Sequence, residues 1–193
     1  VLTLTIASAR RAFSIKDPGE ANFVTGTTVM IRSTEMPRNI VLGESIVGGL
    51  LTYGNSAGDE LRSLYMEMVH TGHEVDSFIG WYLDDKYIPI ADVDGINGEG
   101  IAAGSDDGRV GTNTGGHGLD PVSGTPVLYL RGHLGTDSQA VDSMLDSAFV
   151  DIGTNHRHRG CARTNMRCEL VKGGESKWSG GRNPSAISAV LRG

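Results

Sequence analysis

The densest polar cluster of the chain is the pentapeptide Asn155-His156-Arg157-His158-Arg159. In an extended segment His156 and His158 project to the same side, because side chains alternate along a strand. Two imidazoles on one side can ligate zinc if a third ligand joins them. No HExxH motif or comparable partner accompanies them, so two other interpretations stay open: a salt-linked turn, or basic groups that face an acidic helix.

A second candidate site is the run Asp92-Val93-Asp94-Gly95-Ile96-Asn97-Gly98. Calcium prefers several oxygen ligands around a tight glycine turn, and Asp92, Asp94 and Asn97 offer them. The EF-hand register fails, because Ile96 occupies the third ligand position and the distal bidentate Glu is missing. Turn chemistry alone also explains Asp, Asn and Gly in such a run.

No motif for covalent catalysis occurs in its required structural context. Gly54-Asn55-Ser56-Ala57-Gly58 has the spacing G-x-S-x-G, but it is expected to be a polar turn before a strand and not the strand-to-helix turn of a nucleophile elbow. There is no dinucleotide fingerprint. Cys161 and Cys168 are seven apart on one predicted strand, so they face opposite sides and are not expected to pair. We expect one core thiol and one partly exposed thiol. The sequence predicts no enzyme, and no catalytic, cofactor or metal residue is assigned.

The elements that position these residues are clearest in residues 131–170, which predict a strand, a helix and a second strand. Thr136-Asp137-Ser138-Gln139 matches the S/T-x-x-E/Q capping box, which marks a helix N-terminus. An apolar stripe at helical spacing follows it, with Asp142 on the opposite, polar face. The members of the stripe are Ala140, Val141, Met144, Leu145, Ala148 and Phe149.

Strands on both sides of this helix alternate with period two. Upstream, Leu128, Leu130 and Leu134 alternate with polar or aromatic residues. Downstream, the even positions place Met166, Cys168 and Leu170 inward, and the odd positions place Arg163, Asn165 and Arg167 outward.

The first half of the chain predicts further strands. The glycine pair Gly48-Gly49 predicts a hairpin between residues 39–43 and 50–53. A meander of three strands is expected over residues 61–69, 75–83 and 87–90, with a turn at Asp84-Asp85-Lys86. In its second strand Trp81 and Phe78 lie on opposite faces. Residues 185–191 predict a last strand.

Composition indicates a β-rich chain with many turns. The 193 residues include 28 glycines and 6 prolines and carry a formal net charge of −6, which argues against binding nucleic-acid phosphates. No apolar run of about 18 residues predicts a membrane span. The fold class predicted is mainly β (α+β), an antiparallel sheet domain with one short capped helix and a long glycine-rich insertion. A chain that begins at Val1 is expected to be a processed or excised portion of something larger.

The chain divides into four predicted regions. Residues 1–37 form an N-terminal arm or strand, and residues 38–91 hold the hairpin and meander. Residues 92–124 contain 10 glycines and form the insertion loop. Residues 125–193 hold the strand-helix-strand unit and the terminal strand.

Five segments carry a resemblance to a known family. In order they are VLGESIVGGLLTYGN (41–55), LYMEMVHTGHEVDSFIGWYLDDK (64–86), LRGHLGTDSQAVDSML (130–145), NHRHRGCA (155–162) and PSAISAVLRG (184–193). Together they resemble the central tail hub, also called the tail tip or host-specificity protein, of long-tailed lambda-like bacteriophages. The resemblance covers residues 38–193, and its most specific part is the helix box with the His-Arg turn.

This resemblance implies a structural virion protein of the phage tail tip that acts by assembly and not by catalysis. Such a hub is a homotrimer around the tail axis, joined to the tail tube above and to tip or fibre elements below, and the assembled tip meets the host receptor. DNA crosses its channel without specific binding, and no stable membrane insertion is implied. Hub proteins are much longer than this chain, so it would be one portion of a hub or a shortened relative.

Two other functions remain as alternatives. One is a secreted β-sandwich that binds glycans or a cell-surface receptor, with calcium at Asp92 and Asp94. The other is a tail-associated hydrolase that uses His156 and His158.

Overall fold

The computed structural model describes residues 38–58, 62–93, 95, 108, 110, 127–169 and 186–193. These residues form eight strands, one α-helix and one 3₁₀ turn at Ile90–Asp92. The strands are β1 (Glu44–Gly48), β2 (Leu50–Ala57), β3 (Ser63–Val69), β4 (Ser77–Leu83), β5 (Lys86–Pro89), β6 (Leu128–His133), β7 (Arg163–Glu169) and β8 (Ile187–Arg192), and the helix is α1 (Ser143–Ala148). None of the helices in these ranges is long and apolar enough to cross a membrane.

The strands form two four-stranded sheets in which all neighbours are antiparallel. Sheet A has the order β2-β3-β7-β6, and sheet B has the order β1-β8-β4-β5. The predicted fold class is therefore confirmed: the chain is mainly β, with a single short helix among the described residues.

The two sheets enclose one apolar core. Alternation along the strands turns one face of each sheet inward, as the period-two patterns of β3 and β6 predicted. Both sheets contribute to a single buried cluster, whose largest members include Met68, Leu128, Leu130 and Met166 from sheet A and Phe78, Trp81, Leu83 and Ile187 from sheet B. The inward positions of Met166 and Cys168 are confirmed, with 0% and 1% exposure.

The predicted hairpin at Gly48-Gly49 is wrong. β1 pairs with β8 in sheet B, whereas β2 pairs with β3 in sheet A, so the chain crosses between sheets at Gly49. A Cβ on Gly49 would lie 2.7 Å from the Cβ of Met68. The glycine is therefore needed for close passage over β3 rather than for a hairpin turn.

The predicted three-stranded meander is also wrong, because β3 belongs to sheet A while β4 and β5 belong to sheet B. The turn between β4 and β5 is confirmed: Asp84 and Asp85 have φ of 48° and 66°, as a type I′ hairpin requires. A register shift between Phe78 and Gly80 brings Phe78 to the same side as Trp81. The two rings stack with centroids 5.5 Å apart, so their predicted placement on opposite faces is corrected.

The last strand is confirmed as β8, and its position could not be read from the sequence. It lies between β1 and β4 in sheet B, so the last described strand pairs with the first one. Residues 1–37, Asp94, Asn97 and Leu170, and nearly all of the predicted insertion 92–124, lie outside the described residues.

A small polar network crosses the core. The Thr164 Oγ1 on β7 accepts a hydrogen bond from Trp81 Nε1 at 2.9 Å and lies 2.8 Å from His70 Nε2. His70 is 2% exposed, and burial disfavours the charged imidazole and lowers its pKa to about 4. His70 is therefore neutral in the folded chain at pH 7.

We expect the free energy of unfolding to fall as pH drops from about 6.5 to 4. Across this interval the unfolded chain binds a proton at His70 and the folded chain does not, which lowers stability by up to roughly 3 kcal/mol. Urea denaturation at several pH values measures how steeply the free energy of unfolding changes with pH, and His70→Gln should reduce this slope. An unchanged slope in the variant would contradict this assignment.

We expect Gly132→Ala to destabilise the fold by about 1–3 kcal/mol, as overpacking does. A Cβ at this position on β6 would lie 2.6 Å from the Phe78 ring, which is held by Trp81. The matched control is Gly153→Ala, whose Cβ would have no neighbour within 4 Å. Urea denaturation of both variants should show a loss for the first only.

Candidate functional site

The segment of residues 134–162 joins β6 to β7 and folds back over the outer face of sheet A. Part of that contact is apolar. Phe149 packs edge-on against Tyr53 and Tyr65, with centroids 5.4 and 5.1 Å apart, and Met144 and Leu145 of α1 are buried in the same cluster as Tyr65. The predicted apolar stripe of the helix is thus confirmed at its C-terminal half.

The predicted capping box is wrong. The helix begins at Ser143, and its N-cap is Asp142, whose Oδ1 accepts hydrogen bonds from the backbone N–H of Met144 and Leu145 at 3.0 and 3.1 Å. Asp142 was expected on the exposed face, yet it is 2% exposed. The Asp142 cap satisfies two orphan N–H groups of the helix, as the box would have done for a helix that began six residues earlier.

Gln139 has a different role from the one its motif predicts. Its Oε1 accepts from Gly135 N at 2.7 Å, and its Nε2 donates to the carbonyls of Arg157 and His158 at 2.7 and 3.1 Å. The amide therefore ties the start of the 134–162 segment to the His-Arg turn. The 136–139 motif and the His-Arg turn, which are separate in the sequence, therefore form one hydrogen-bonded unit.

Asp142 is also the centre of a buried ion group. Its Oδ2 lies 2.9 Å from His133 Nε2 and 3.7 Å from Arg131 NH1, both of which project from β6. Burial opposes ionisation of Asp142, but the hydrogen bond and charge of His133 and the charge of Arg131 outweigh it. The pKa of this carboxyl is therefore held well below its usual value.

A second buried carboxylate lies on the neighbouring strand. Glu67 on β3 is 0% exposed, and its Oε2 accepts a hydrogen bond from Arg163 NH1 on β7 at 2.9 Å. Its Oε1 accepts from the Thr52 hydroxyl at 2.9 Å. Arg163 is itself 0% exposed and also donates to the carbonyls of His156 and Ala140.

His156 and His158 converge on this carboxylate. Their Nε2 atoms lie 3.1 and 2.9 Å from Glu67 Oε1, and their ring centroids are 4.7 Å apart. The two histidines are brought together by a turn with His158 at φ of 47°, not by an extended strand. Glu67 is thus a third potential metal-ligating group beside the two histidines, which the sequence alone did not provide.

The electrostatics of Glu67 favour its charged form. Burial raises its pKa, but the close imidazole of His158 and the charges of Arg163 and the two histidines outweigh that effect and leave the pKa below its ordinary value. An ionised carboxylate with two imidazole nitrogens beside it can form a local ion-pair group or hold a metal ion.

The other predicted site residues lie apart from this cluster. Cys161 is partly exposed and Cys168 is buried, both as free thiols, which confirms that prediction. Burial raises the pKa of the Cys168 thiol, so this cysteine is a poor nucleophile. Asp92 is partly buried in the 3₁₀ turn, and its proposed calcium partners fall outside the described residues.

A cavity of about 220 Å³ lies beside the Asp142 ion group. Its lining includes Arg131, His133, Thr136 and Gln139. Its charged members already bond one another, so the cavity adds no separate site to the two carboxylate groups.

Sequence reasoning placed Arg163 and Asn165 on a solvent face, and the structure corrects both. Each is 0% exposed, because the 134–162 segment covers that face. Glu67, 89 positions from His156, was missed because it occupies an ordinary outward position of an alternating strand. The available signal was charge complementarity between the outward faces of β3 and β7.

We expect stability to rank wild type above Asp142→Asn above Asp142→Ala. Asn retains a side-chain oxygen for the N-cap but loses the charge, and Ala loses the cap as well, at about 1 kcal/mol more. Because the folded pKa of Asp142 is depressed, its ionic contribution is complete above about pH 4 and is lost on further acidification. Denaturant unfolding from pH 7 to pH 3 should show a smaller acid loss in both variants. Exposed Asp146→Asn on the same helix is the control, with a change within about 0.5 kcal/mol.

Comparison with known proteins adds no family to this description. No protein-family model matches the chain, and a search of curated proteins finds no match.

Proposed function

We propose that this chain is a structural portion of a phage tail-tip hub, which acts by assembly and not by catalysis. The supporting observation is the contact between the two most specific motifs of the resemblance. Gln139 of the 130–145 motif bonds the carbonyls of Arg157 and His158 in the 155–162 motif. Residues that resemble a family signature and bond each other inside the fold suit a scaffold better than an open catalytic centre.

The proposal assigns the chain to a homotrimer around the tail axis in the virion. The tail tube lies above it, and tip or fibre elements and the host receptor lie below. A net charge of −6 agrees with a channel that DNA crosses without specific binding, since it offers no excess of cations to phosphates.

An exposed apolar edge supports assembly. β1 is an edge strand of sheet B, and Ile46 on it is 60% exposed. Just before β1, Ile40 and Leu42 are 76% and 84% exposed. Among the described residues no strand pairs with the outer edge of β1, and large exposed apolar side chains at such an edge favour contact with another subunit.

The two-sheet architecture also suits the alternative, a secreted β-sandwich that binds glycans or a receptor. Calcium at Asp92 would distinguish it. A calorimetric calcium titration that gives no heat, with no shift in Tm, would remove the calcium-dependent version.

We expect the protein to form a trimer in solution, with three times the 20.4 kDa mass of one chain. Size-exclusion chromatography with light scattering measures this mass. Ile46→Glu should shift the trimer to monomer, because it buries a charge in the proposed contact, while circular dichroism shows the fold retained.

Val150→Glu is the matched control, because Val150 is also apolar and fully exposed but lies after α1, away from β1. It should leave the trimer intact. A wild-type monomer at all accessible concentrations would refute the assembly role of this chain.

A further inference from the structure

The donor atoms of Glu67, His156 and His158 have the separations of a metal-ligand set. All three lie within 4.8 Å of one another, and the two Nε2 atoms are 3.1 and 2.9 Å from the same carboxylate oxygen. In a tetrahedral zinc site with metal-ligand bonds of about 2.0–2.1 Å, neighbouring ligand atoms are about 3.3 Å apart. The two imidazole-to-carboxylate separations therefore require adjustments of only a few tenths of an ångström, and the two imidazole nitrogens, which lie within 4.8 Å of each other, must approach by at most about 1.5 Å.

Three polar groups lie within hydrogen-bond distance of the single oxygen Oε1 of Glu67. The Thr52 hydroxyl already donates to this oxygen at 2.9 Å, and His156 Nε2 is within hydrogen-bond distance as well. His158 Nε2 is buried and close to the same oxygen, yet its orientation makes no hydrogen bond. Buried polar atoms without such a bond are uncommon, and an ion or water bound between them is one physical reason for them.

Each ligand is held in place by a second group. Thr52 and Arg163 fix the two oxygens of Glu67, and Gln139 Nε2 bonds the carbonyl of His158. Arg163 NH1 also reaches the carbonyl of His156. The contacts to Glu67 orient its carboxylate, as outer partners of a metal ligand do, and the carbonyl contacts fix the backbone of the turn that carries the two histidines.

An ion can reach this position. Glu67 is buried, but the side chains of His156 and His158 are 26% and 27% exposed. An ion would therefore enter from the turn side, and water would supply its fourth ligand. Two imidazoles and one carboxylate are ligands that suit zinc and not calcium or magnesium, which prefer oxygen.

We propose that Glu67, His156 and His158 bind a divalent transition-metal ion of the zinc type, which fastens the His-Arg turn to β3. This site goes beyond the assembly role and does not depend on it. The competing state is a metal-free ion-pair group in which Arg163, His156 and His158 surround the Glu67 carboxylate.

The test is zinc titration of the full, chelator-treated chain at pH 7.5, with calorimetry for stoichiometry and circular dichroism for Tm. We expect one Zn²⁺ per chain, and a rise in Tm of about 5 °C or more at free Zn²⁺ about 100 times Kd. Co²⁺ in place of Zn²⁺ should give the visible absorption of a four-coordinate site.

Variants separate this site from incidental binding. His156→Gln and His158→Gln should each weaken Zn²⁺ affinity by more than about 100-fold, and Thr52→Val, which removes an outer partner, by about 10–100-fold. His133→Gln is the matched control, because it removes the other imidazole paired with a buried carboxylate but should leave Zn²⁺ binding unchanged.

Absence of heat and of a Tm shift in the folded wild type would overturn the proposal in favour of the metal-free ion-pair group. Zinc binding that persists in both His156→Gln and His158→Gln but is lost in Cys161→Ser would also overturn it. Neither result bears on trimer formation, so failure of the metal site and failure of the assembly role are distinguishable.

Discussion

The carboxylate of Glu67 has no contact with solvent, and the guanidinium of Arg163 balances its charge at 2.9 Å. Both groups lie on the outer face of sheet A. If that face were exposed to solvent, both charges would remain hydrated. Once the 134–162 segment covers them, each must be paired, because removing one partner of a buried pair leaves an uncompensated charge and costs about 3–5 kcal/mol. The position of that segment therefore depends on this pair. The position of the segment also fixes the His-Arg turn, which carries His156 and His158.

The covering segment is stabilised by two different kinds of contact. Its helical part packs apolar side chains on Tyr53 and Tyr65, and such contacts tolerate small shifts. Its other part binds to the sheet through directed hydrogen bonds, from Arg163 of β7 to the carbonyls of Ala140 and His156. Hydrogen bonds of this kind specify one register of the segment on the sheet, whereas apolar burial supplies much of the driving force. A scaffold with one defined surface suits a subunit of a symmetric assembly.

Local patterns predicted strands well and their partners poorly. The alternation in β3 and β6 identified these strands, and the Asp84-Asp85 turn identified the β4-β5 hairpin. β1 was not predicted, because the strand expected at residues 39–43 ends just before it. β3 was assigned the wrong neighbours, because sequential strands were assumed to pair. Nothing within β1 indicates that its partner is the last strand of the chain, since pairing of distant strands depends on which faces must be buried together.

The sequence by itself determined the β-rich class, the positions of most strands, the apolar stripe of the helix and the separation of the two thiols. These features follow from periodicity, which is a property of neighbouring residues. Only the tertiary structure decided that the outward face of β7 is buried, that Asp142 and not Thr136 caps the helix, and that Glu67 joins His156 and His158. The physical reason is that the second layer over sheet A comes from the chain itself. Alternation shows which residues share a face, but it cannot show whether water or a later segment of the chain covers that face.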